Sequence, residues 1–266
     1  LWSLMSDSVG SVDRDVALKA ISSVDLALYD IIGKSLDVPV WKLLGGYGDR
    51  VRAFATIGHY HQGKGLDDLS QWMSWAARKG FRAVKMKIGR LDIKEELERV
   101  RTAREAVGSE VLLMVDANWL WPPNRAIEFI GMAEKYDIYW FEDPTPSIKG
   151  IGDVAKASKV PVAAGEPHPT FAPWGYSLSG HRDLMGSVDM LVADASLYGG
   201  VTPFKKSAAL AEAFGIPIIS HTADHFHQSI VSAFSNGLCS EVVPNPEYNP
   251  LSDFGPDPLY TTPIVL

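Results

Sequence analysis

Short apolar runs rich in β-branched residues alternate along the chain with segments of helical periodicity. The apolar runs predict eight strands: Val51 to Ile57, Ala83 to Ile88, Val111 to Ala117, Ile138 to Glu142, Val160 to Ala164, Asp189 to Ala193, Ile216 to Ser220 and Cys239 to Val243. Helices are predicted at Leu69 to Arg78, Lys94 to Ala106, Asn124 to Glu134, Thr202 to Phe214 and His225 to Asn236. Strict alternation implies parallel strands joined by right-handed crossovers, and eight strands favour closure into a TIM-type α/β barrel.

A further amphipathic helix precedes the predicted barrel. Residues 11–33 carry apolar side chains at helical spacing, including Val16, Ile21, Val24 and Leu28. The pattern stops at Gly33, which is the residue type that most often ends a helix. We therefore predict that one helix ending at this glycine leads into the strands.

Ionisable residues follow or end the predicted strands. They are Lys85, Lys87, Asp116, Glu142, Glu166, Asp194, His221 and Glu241, and from Lys85 onward, with Lys87 left aside, successive members lie 20 to 31 residues apart. The carboxyl ends of parallel barrel strands meet at one face, so these side chains are expected to converge there. A single acid after a strand is commonly a helix N-cap, but burying the whole set is costly unless its members pair or bind a metal. We therefore predict the active site at this face.

Three of these residues predict a metal site. Asp116, Glu142 and Glu166 end neighbouring strands, and three adjacent carboxylates repel one another unless a cation lies between them. Ligation by oxygen alone selects a hard ion, and a site with positions left for water and substrate suits Mg²⁺. We therefore expect a single Mg²⁺ ion.

The remaining members of the set predict two bases beside that metal. Lys85 and Lys87 are two apart on one strand and project to the same face, where each ammonium group is expected to lower the pKa of the other. Asp194 and His221 end adjacent strands, where the carboxylate can orient the imidazole. A metal flanked by two bases fits abstraction of the proton next to a carboxylate, with Mg²⁺ stabilising the enediolate that forms.

Composition excludes several other classes of protein. With 46% hydrophobic and 21% charged residues, the chain of 266 residues is ordinary globular material. Its net charge is −7 and its basic residues are scattered, so no nucleic-acid partner is expected. Its sequence has no apolar stretch that predicts a membrane span, and Cys239 is its only cysteine, which favours a reducing cytoplasm.

Several short motifs together carry a resemblance to a known family. They are SVDLALYDIIGK (23–34), KLLGG (42–46), AVKMKIG (83–89), MVDAN (114–118), WFEDP (140–144), AAGE (163–166), ADASLYGGVT (193–202) and GIPIISH (215–221). This combination resembles the mandelate racemase group of the enolase superfamily, and it covers nearly the whole chain. The resemblance implies a modified (β/α)7β barrel that binds Mg²⁺ and carries an α+β capping domain. The muconate cycloisomerase branch has a lysine five residues before the Gly-Gly pair, whereas Asp194 stands five before Gly199 here.

The resemblance also assigns roles to the strand-end residues. It implies Lys87 as the base and Lys85 as its assistant at the substrate carboxylate, with His221 and Asp194 as a catalytic dyad. The metal ligands that it implies are Asp116, Glu142 and Glu166. It further implies that Glu241 donates a hydrogen bond to the substrate carboxylate and that Asn118 contacts the substrate or the ligand shell.

The same resemblance suggests how the chain is divided. We expect residues 1–46 to be the C-terminal part of the capping domain and its linker, 47–243 to be the barrel with the metal site, and 244–266 to be a tail that returns toward the cap. A homo-oligomer is expected because oligomers are common in such families. Gly199 and Gly200 precede a helix and could cradle phosphate, but the resemblance favours a tight turn.

The leading hypothesis is a Mg²⁺-dependent acid-sugar dehydratase that acts on a small carboxylate substrate. His59 and His168, which follow strands one and five, suit a hydroxylated substrate, and we expect His59 to bind it. Trp119 and Trp121, after strand three, are open between substrate contact and packing. The alternatives are two-base racemisation or epimerisation of a 2-hydroxy acid, a Schiff-base aldolase that uses one of the strand-two lysines, and a non-catalytic barrel.

Overall fold

A computed structural model describes residues 1–9, 13–221 and 225–244 of the chain. Eight parallel strands close into a barrel in sequence order, as the alternation predicted. The predicted tail falls almost wholly at 245–266, outside the described residues. The strands are β1 (Arg52–Thr56), β2 (Ala83–Lys87), β3 (Leu112–Asp116), β4 (Ile138–Glu142), β5 (Val162–Ala164), β6 (Met190–Ala193), β7 (Ile218–Ser220) and β8 (Gly237–Val242).

Helices lie before the barrel and between its strands. Three precede β1: α1 (Trp2–Asp7), α2 (Arg14–Leu36) and α3 (Val40–Leu44). Among the described residues, one α-helix joins each pair of successive strands: α4 (Leu66–Arg78), α5 (Ile93–Val107), α6 (Pro123–Ala133), α7 (Ile148–Ala157), α8 (Leu178–Leu184), α9 (Val201–Ala213) and α10 (His225–Val231). In the part of the chain described here, none of these helices is long and apolar enough to cross a membrane.

The helix α2 does not end where the sequence pattern predicted. It passes through Gly33 and ends at Leu36, and Asp37 follows in the left-handed conformation with φ 52°. A Cβ atom at position 33 would lie 2.8 Å from the carbonyl oxygen of Val38. Gly33 is therefore required because the following segment crosses the helix closely, and it does not stop the helix.

The alternation of side chains along the strands separates an outer core from the barrel interior. On β2, Val84 and Met86 belong to the apolar layer between strands and helices, whereas Lys85 points inward and lies 5.5 Å from the ring of Phe54. A second apolar cluster fills the interior: Phe54, Met114, Trp140, Ala163, Met190, Val192, Ile219 and Cys239. Lys85 and the acids at the carboxyl ends of the strands therefore lie next to this interior apolar cluster.

The glycine pair after β6 is the place where α2 joins the barrel. Thr202 donates hydrogen bonds from its backbone N and its hydroxyl to Asp25 of α2, at 2.8 and 2.9 Å. Gly199 donates from its backbone N to Ser22 at 2.8 Å. A Cβ atom on Gly200, whose φ is 104°, would overlap the Asp25 carboxylate. The pair thus forms a turn that admits the side chains of α2.

Candidate active site

All the predicted ionisable residues lie at the carboxyl ends of the strands. Lys85, Lys87, Asp116, Glu142 and Glu241 belong to the strands themselves. Asp194 and His221 directly follow β6 and β7, and Glu166 is the second residue after β5. Most are almost fully buried, with Lys87 and His221 retaining 15% and 17% exposure of their side chains. The barrel thus gathers them at one end.

The carboxylates form a compact group. Asp116, Glu142 and Asp143 each offer an oxygen atom, and these atoms lie within 4.8 Å of one another. All three residues are completely buried. The backbone N of Asn118, a residue with φ 45°, donates to Oδ1 of Asp116 at 2.8 Å, and the indole of Trp140 donates to Oε2 of Glu142 at 3.0 Å. These bonds fix the orientation of the two strand-end carboxylates.

The two lysines are ion-paired with this group. Nζ of Lys87 lies 2.5 Å from Oδ2 of Asp116. Lys85 donates to Glu142, and its Nζ lies 3.5 Å from Asp116 and 3.2 Å from Oε1 of Glu241. Glu241 also accepts a hydrogen bond from the hydroxyl of Thr56.

The lysines were expected to have lowered pKa values because of their mutual repulsion, but the net shift of both pKa values is upward. Burial lowers the pKa of Lys87, and the charge of Lys85 lowers it further, but the charges of Asp116, Glu241 and Glu166 together outweigh both and the pKa is raised. For Lys85, burial is likewise outweighed, by Glu142, Glu241 and Asp116, and its pKa is raised well above the usual value. Attraction to the acids of other strands thus exceeds repulsion within β2.

His221 lies between two carboxylates on the other side of the site. Its Nδ1 is 2.7 Å from Oδ2 of Asp194, and its Nε2 is 3.1 Å from Oε2 of Glu166. Oδ1 of Asp194 accepts hydrogen bonds from the backbone N atoms of Ser196 and Leu197, at 2.6 and 3.1 Å. Burial lowers the pKa of His221, but Glu166 and Asp194 outweigh it and raise the pKa to about 9.

Aromatic and polar residues surround this centre. His59 follows β1, and burial together with the charges of Lys87 and His61 lowers its pKa to about 4. Trp119 lies against His168, with 5.2 Å between ring centroids. Trp121 instead packs in the outer core, 4.9 Å from the ring of Phe129. Of the two tryptophans left open by the sequence, Trp121 therefore serves packing.

Sequence reasoning missed Asp143 and His227. Asp143 follows the strand-end acid Glu142, and the doubled acid in the string FEDP was its only signal. His227 is buried on α10, and its Nε2 accepts a hydrogen bond from the backbone N of Ala195 at 2.8 Å. That bond holds the residue after Asp194, so His227 supports the loop that positions the dyad.

The donor set fits a hard divalent cation. Both oxygens of Asp143 are buried and have no hydrogen-bond partner within the described part of the chain, and Oε2 of Glu166 is buried and faces Nε2 of His221 at 3.1 Å. Burial raises the pKa of Asp143 well above its usual value, and the charges of Glu166 and Asp116 raise it further. Asp143 belongs with Asp116 and Glu142 to the group of oxygens within 4.8 Å of one another, whereas the predicted ligand Glu166 is not part of that group. Buried oxygens grouped in this way are what an oxygen-ligated ion such as Mg²⁺ requires.

Two family models match most of the chain between them. One, described as "Enolase C-terminal domain-like", matches residues 68–262. The other, described as the N-terminal domain of mandelate racemase / muconate lactonizing enzyme, matches residues 2–45.

Relatives and solved structures agree with these models. Arabinonate dehydratase from Saccharolobus solfataricus is 35% identical over 211 residues, covering 78% of this chain and 55% of the relative. A racemase from Streptomyces coelicolor with bound magnesium is 32% identical with a TM-score of 0.83, covering 91% of this chain and 72% of that chain. L-Talarate dehydratase from a Polaromonas species, complexed with Mg and L-glucarate, is 31% identical with a TM-score of 0.80, covering 90% and 66%. The chain spans about half the length of the curated relatives it matches.

Proposed function

Because the chain belongs to the mandelate racemase / muconate lactonizing enzyme group of the enolase superfamily, we propose that its site removes the proton next to a substrate carboxylate. The reaction that we propose is the dehydration of an acid sugar to a 2-keto acid. The observation that carries the proposal is the placement of Lys87 and His221 on either side of the carboxylate group, the first 2.5 Å from Asp116 and the second 3.1 Å from Glu166.

Each side of the site has its own task in this reaction. Lys87 in its neutral form takes the proton from the carbon next to the carboxylate, and the electron pair left on that carbon moves toward the carboxylate. Bound Mg²⁺ would favour the neutral form, because it would offset the charge of Asp116 that raises the pKa of Lys87. His221 donates a proton to the hydroxyl group on the next carbon, which leaves as water. The resulting enol converts to the 2-keto acid. Asp194 keeps Nε2 of His221 directed into the site, because it engages Nδ1 at 2.7 Å.

The remaining residues hold the substrate and the metal. We assign the substrate carboxylate to Lys85 and the distal hydroxyl groups to Asn118 and His59. Glu241 lies 3.2 Å from Lys85, whose charge helps hold the pKa of Glu241 below its usual value, so Glu241 would have to take up a proton before it could donate to that carboxylate. Asp116, Glu142 and Glu166 would hold Mg²⁺. When bound, this ion would offset the negative charge that develops on the substrate carboxylate.

Two observations favour an acid sugar as the substrate. The relative from Saccharolobus solfataricus is an arabinonate dehydratase, and the solved L-talarate dehydratase holds L-glucarate, so both names point to polyhydroxylated acids. In this chain, His59 is a neutral imidazole near Lys87, and such a ring can both donate and accept hydrogen bonds from hydroxyl groups.

The direct test is a screen of aldonates and aldarates with the purified protein and Mg²⁺. Formation of 2-keto acid is measured by reaction with semicarbazide. We expect one acid, or a small group with the same configuration at the first two carbons, to be converted. A protein that binds Mg²⁺ but converts none of these acids would contradict the proposal.

Racemisation or epimerisation is the second candidate, and the same pair of bases favours it. β2 and β7 are separated by β1 and β8 in the barrel order, so Lys87 and His221 approach a bound substrate from different strands and can act on opposite faces of one carbon. Incubation in D₂O separates the candidates. Deuterium at the carbon next to the carboxylate, without loss of water, would identify the second reaction.

The proposal extends to the state of the protein in the cell. We expect a homo-oligomer in the cytoplasm. Light scattering of the purified protein measures its oligomeric state, and cell fractionation measures its location.

A further inference from the structure

Asp143 is a buried acid that none of the proposed steps uses. It directly follows Glu142 at the end of β4, and its exposed fraction is 0%. Neither carboxylate oxygen has a hydrogen-bond partner in the described parts of the chain. One of these oxygens lies within 4.8 Å of ligand atoms on both Asp116 and Glu142. The side chain is thus directed into the group that would hold the metal.

The backbone explains how two adjacent residues reach the same group. Successive side chains on a regular strand point to opposite faces, which would send the side chain of Asp143 away from that of Glu142. Asp143 instead has φ 41°, in the left-handed region. Its backbone N donates to the carbonyl of Ala163 at 2.9 Å, and its own carbonyl accepts from the backbone N of Trp119 at 2.8 Å. These two bonds hold an unusual conformation that keeps both acids at the site.

The cations nearby pair with other acids. Lys87 pairs with Asp116, Lys85 pairs with Glu142 and Glu241, and His221 lies between Glu166 and Asp194. Within the described residues, no ion pair involves Asp143. A buried carboxylate without a counter-charge is strongly unfavourable, and three other carboxylates nearby increase the penalty.

We propose that Asp143 is a fourth carboxylate of the cation site, acting together with Asp116, Glu142 and Glu166. The proposal rests on the metal site of the proposed function, and it adds a residue to that site. Its role is to strengthen the binding of a hard divalent cation and to be stabilised by that cation. Asp143 is therefore a positioning residue for the ion, and the bases Lys87 and His221 act without it.

The test is the affinity for Mg²⁺, measured by calorimetry in the absence of substrate. Asp143→Asn keeps the shape of the side chain and tolerates the left-handed backbone, and Asp143→Gly tolerates it as well. We expect both variants to bind Mg²⁺ about 10- to 100-fold more weakly, the range typical of groups that support a metal site. In the presence of a chelator, we expect Asp143→Asn to melt at the same temperature as the wild type or at a higher one. Added Mg²⁺ should raise the melting temperature of the variant less than that of the wild type.

Asp25→Asn is the matched control, because Asp25 is another buried aspartate but its oxygens accept hydrogen bonds from Thr202. We expect this control to lose thermal stability and to keep the wild-type affinity for Mg²⁺. Unchanged affinity in both Asp143 variants would overturn the inference and leave the proposed function intact. Absence of Mg²⁺ binding in the wild type would overturn the proposed metal site and this inference with it.

Discussion

Nδ1 of His221 lies 2.7 Å from Oδ2 of Asp194, and the other oxygen of Asp194 is held by backbone N atoms of the loop after β6. The carboxylate therefore cannot rotate without losing these bonds. It receives the Nδ1 proton of the imidazole and leaves Nε2 facing the site. The orientation of the proposed acid is thus set by a loop that the substrate does not need to touch.

The first prediction concerns this dyad. Asp194→Asn should lower kcat by about 10²- to 10⁴-fold, because the imidazole loses the carboxylate that orients it. Mg²⁺ affinity should stay close to that of the wild type. Asp189→Asn is the matched control: Asp189 lies at the other end of β6, where it accepts from the backbone N of Val162 at 2.8 Å. The control should lose stability and keep its kcat; a loss of kcat as large as that of Asp194→Asn would contradict the assignment.

The second prediction separates the two bases. Lys87→Met and His221→Asn should each abolish turnover while Mg²⁺ still binds, since neither is among the proposed ligands. Exchange of the substrate proton in D₂O, followed by NMR, shows which residue removes it. We expect exchange to be lost in Lys87→Met and to persist in His221→Asn, because the latter retains the base that removes the proton. Full activity of the double variant would refute the mechanism.

The third prediction concerns Lys85, which pairs with Glu142 and Glu241 and whose side chain is only 1% exposed. Lys85→Met leaves these buried acids without their cation. In the presence of a chelator, the free energy of unfolding should fall by about 3 to 5 kcal/mol. Mg²⁺ should restore part of this loss, because it supplies positive charge to the same carboxylates. Urea unfolding with and without Mg²⁺ measures the difference, and an equal loss in both conditions would contradict this account.

The sequence was sufficient for the strands and for most of the site, since both depend on local patterns. β-Branched runs mark the strands, and the ionisable residues at their ends are brought together by the parallel barrel alone. The predicted helices did not include α7 and α8, both of which contain glycine. A Cβ at Gly150 would lie 2.8 Å from Ser147 Oγ, and one at Gly180 would overlap the backbone of Trp174. These glycines serve close packing, which no local pattern reveals.

Within the site, the features that were missed depend on contacts between distant residues. Strand alternation directs Asp143 away from the site, and only its left-handed backbone brings it back. The pKa of Lys87 was predicted from its neighbour two residues away, whereas the direction of its shift is decided by acids outside β2, of which Asp116 on the next strand contributes most. Charges that face each other across strands have no signature in sequence spacing.

The fourth prediction concerns the dependence of stability on pH. His181 of α8 is completely buried between Ser207 and the carbonyl of Gly165, and burial lowers its pKa from 6.5 to about 4. The unfolded chain therefore binds a proton at a pH where the folded protein does not. The resulting stability is complete above pH 6.5 and is lost as the pH falls toward 4, by about 3 kcal/mol.

The variant His181→Gln tests this, because glutamine can still donate to the Gly165 carbonyl but does not titrate. The free energy of unfolding is measured with urea between pH 4 and 8. As the pH falls across this range, it should decrease by about 3 kcal/mol less in the variant than in the wild type. Parallel curves would show that His181 does not contribute to the dependence.

The fifth prediction concerns the attachment of α2. Gly200 has φ 104° and Gly80 has φ 98°, so alanine would strain the backbone similarly at both positions. A Cβ at Gly80 meets nothing within 4 Å, whereas one at Gly200 overlaps the Asp25 carboxylate that accepts from Thr202. Gly80→Ala should therefore cost about 1 to 2 kcal/mol in the free energy of unfolding. Gly200→Ala should lower the free energy of unfolding by at least about 1 kcal/mol more than Gly80→Ala, which is the typical cost of losing a helix cap. Equal losses in urea unfolding would mean that Asp25 moves aside freely and that the turn does not fix α2.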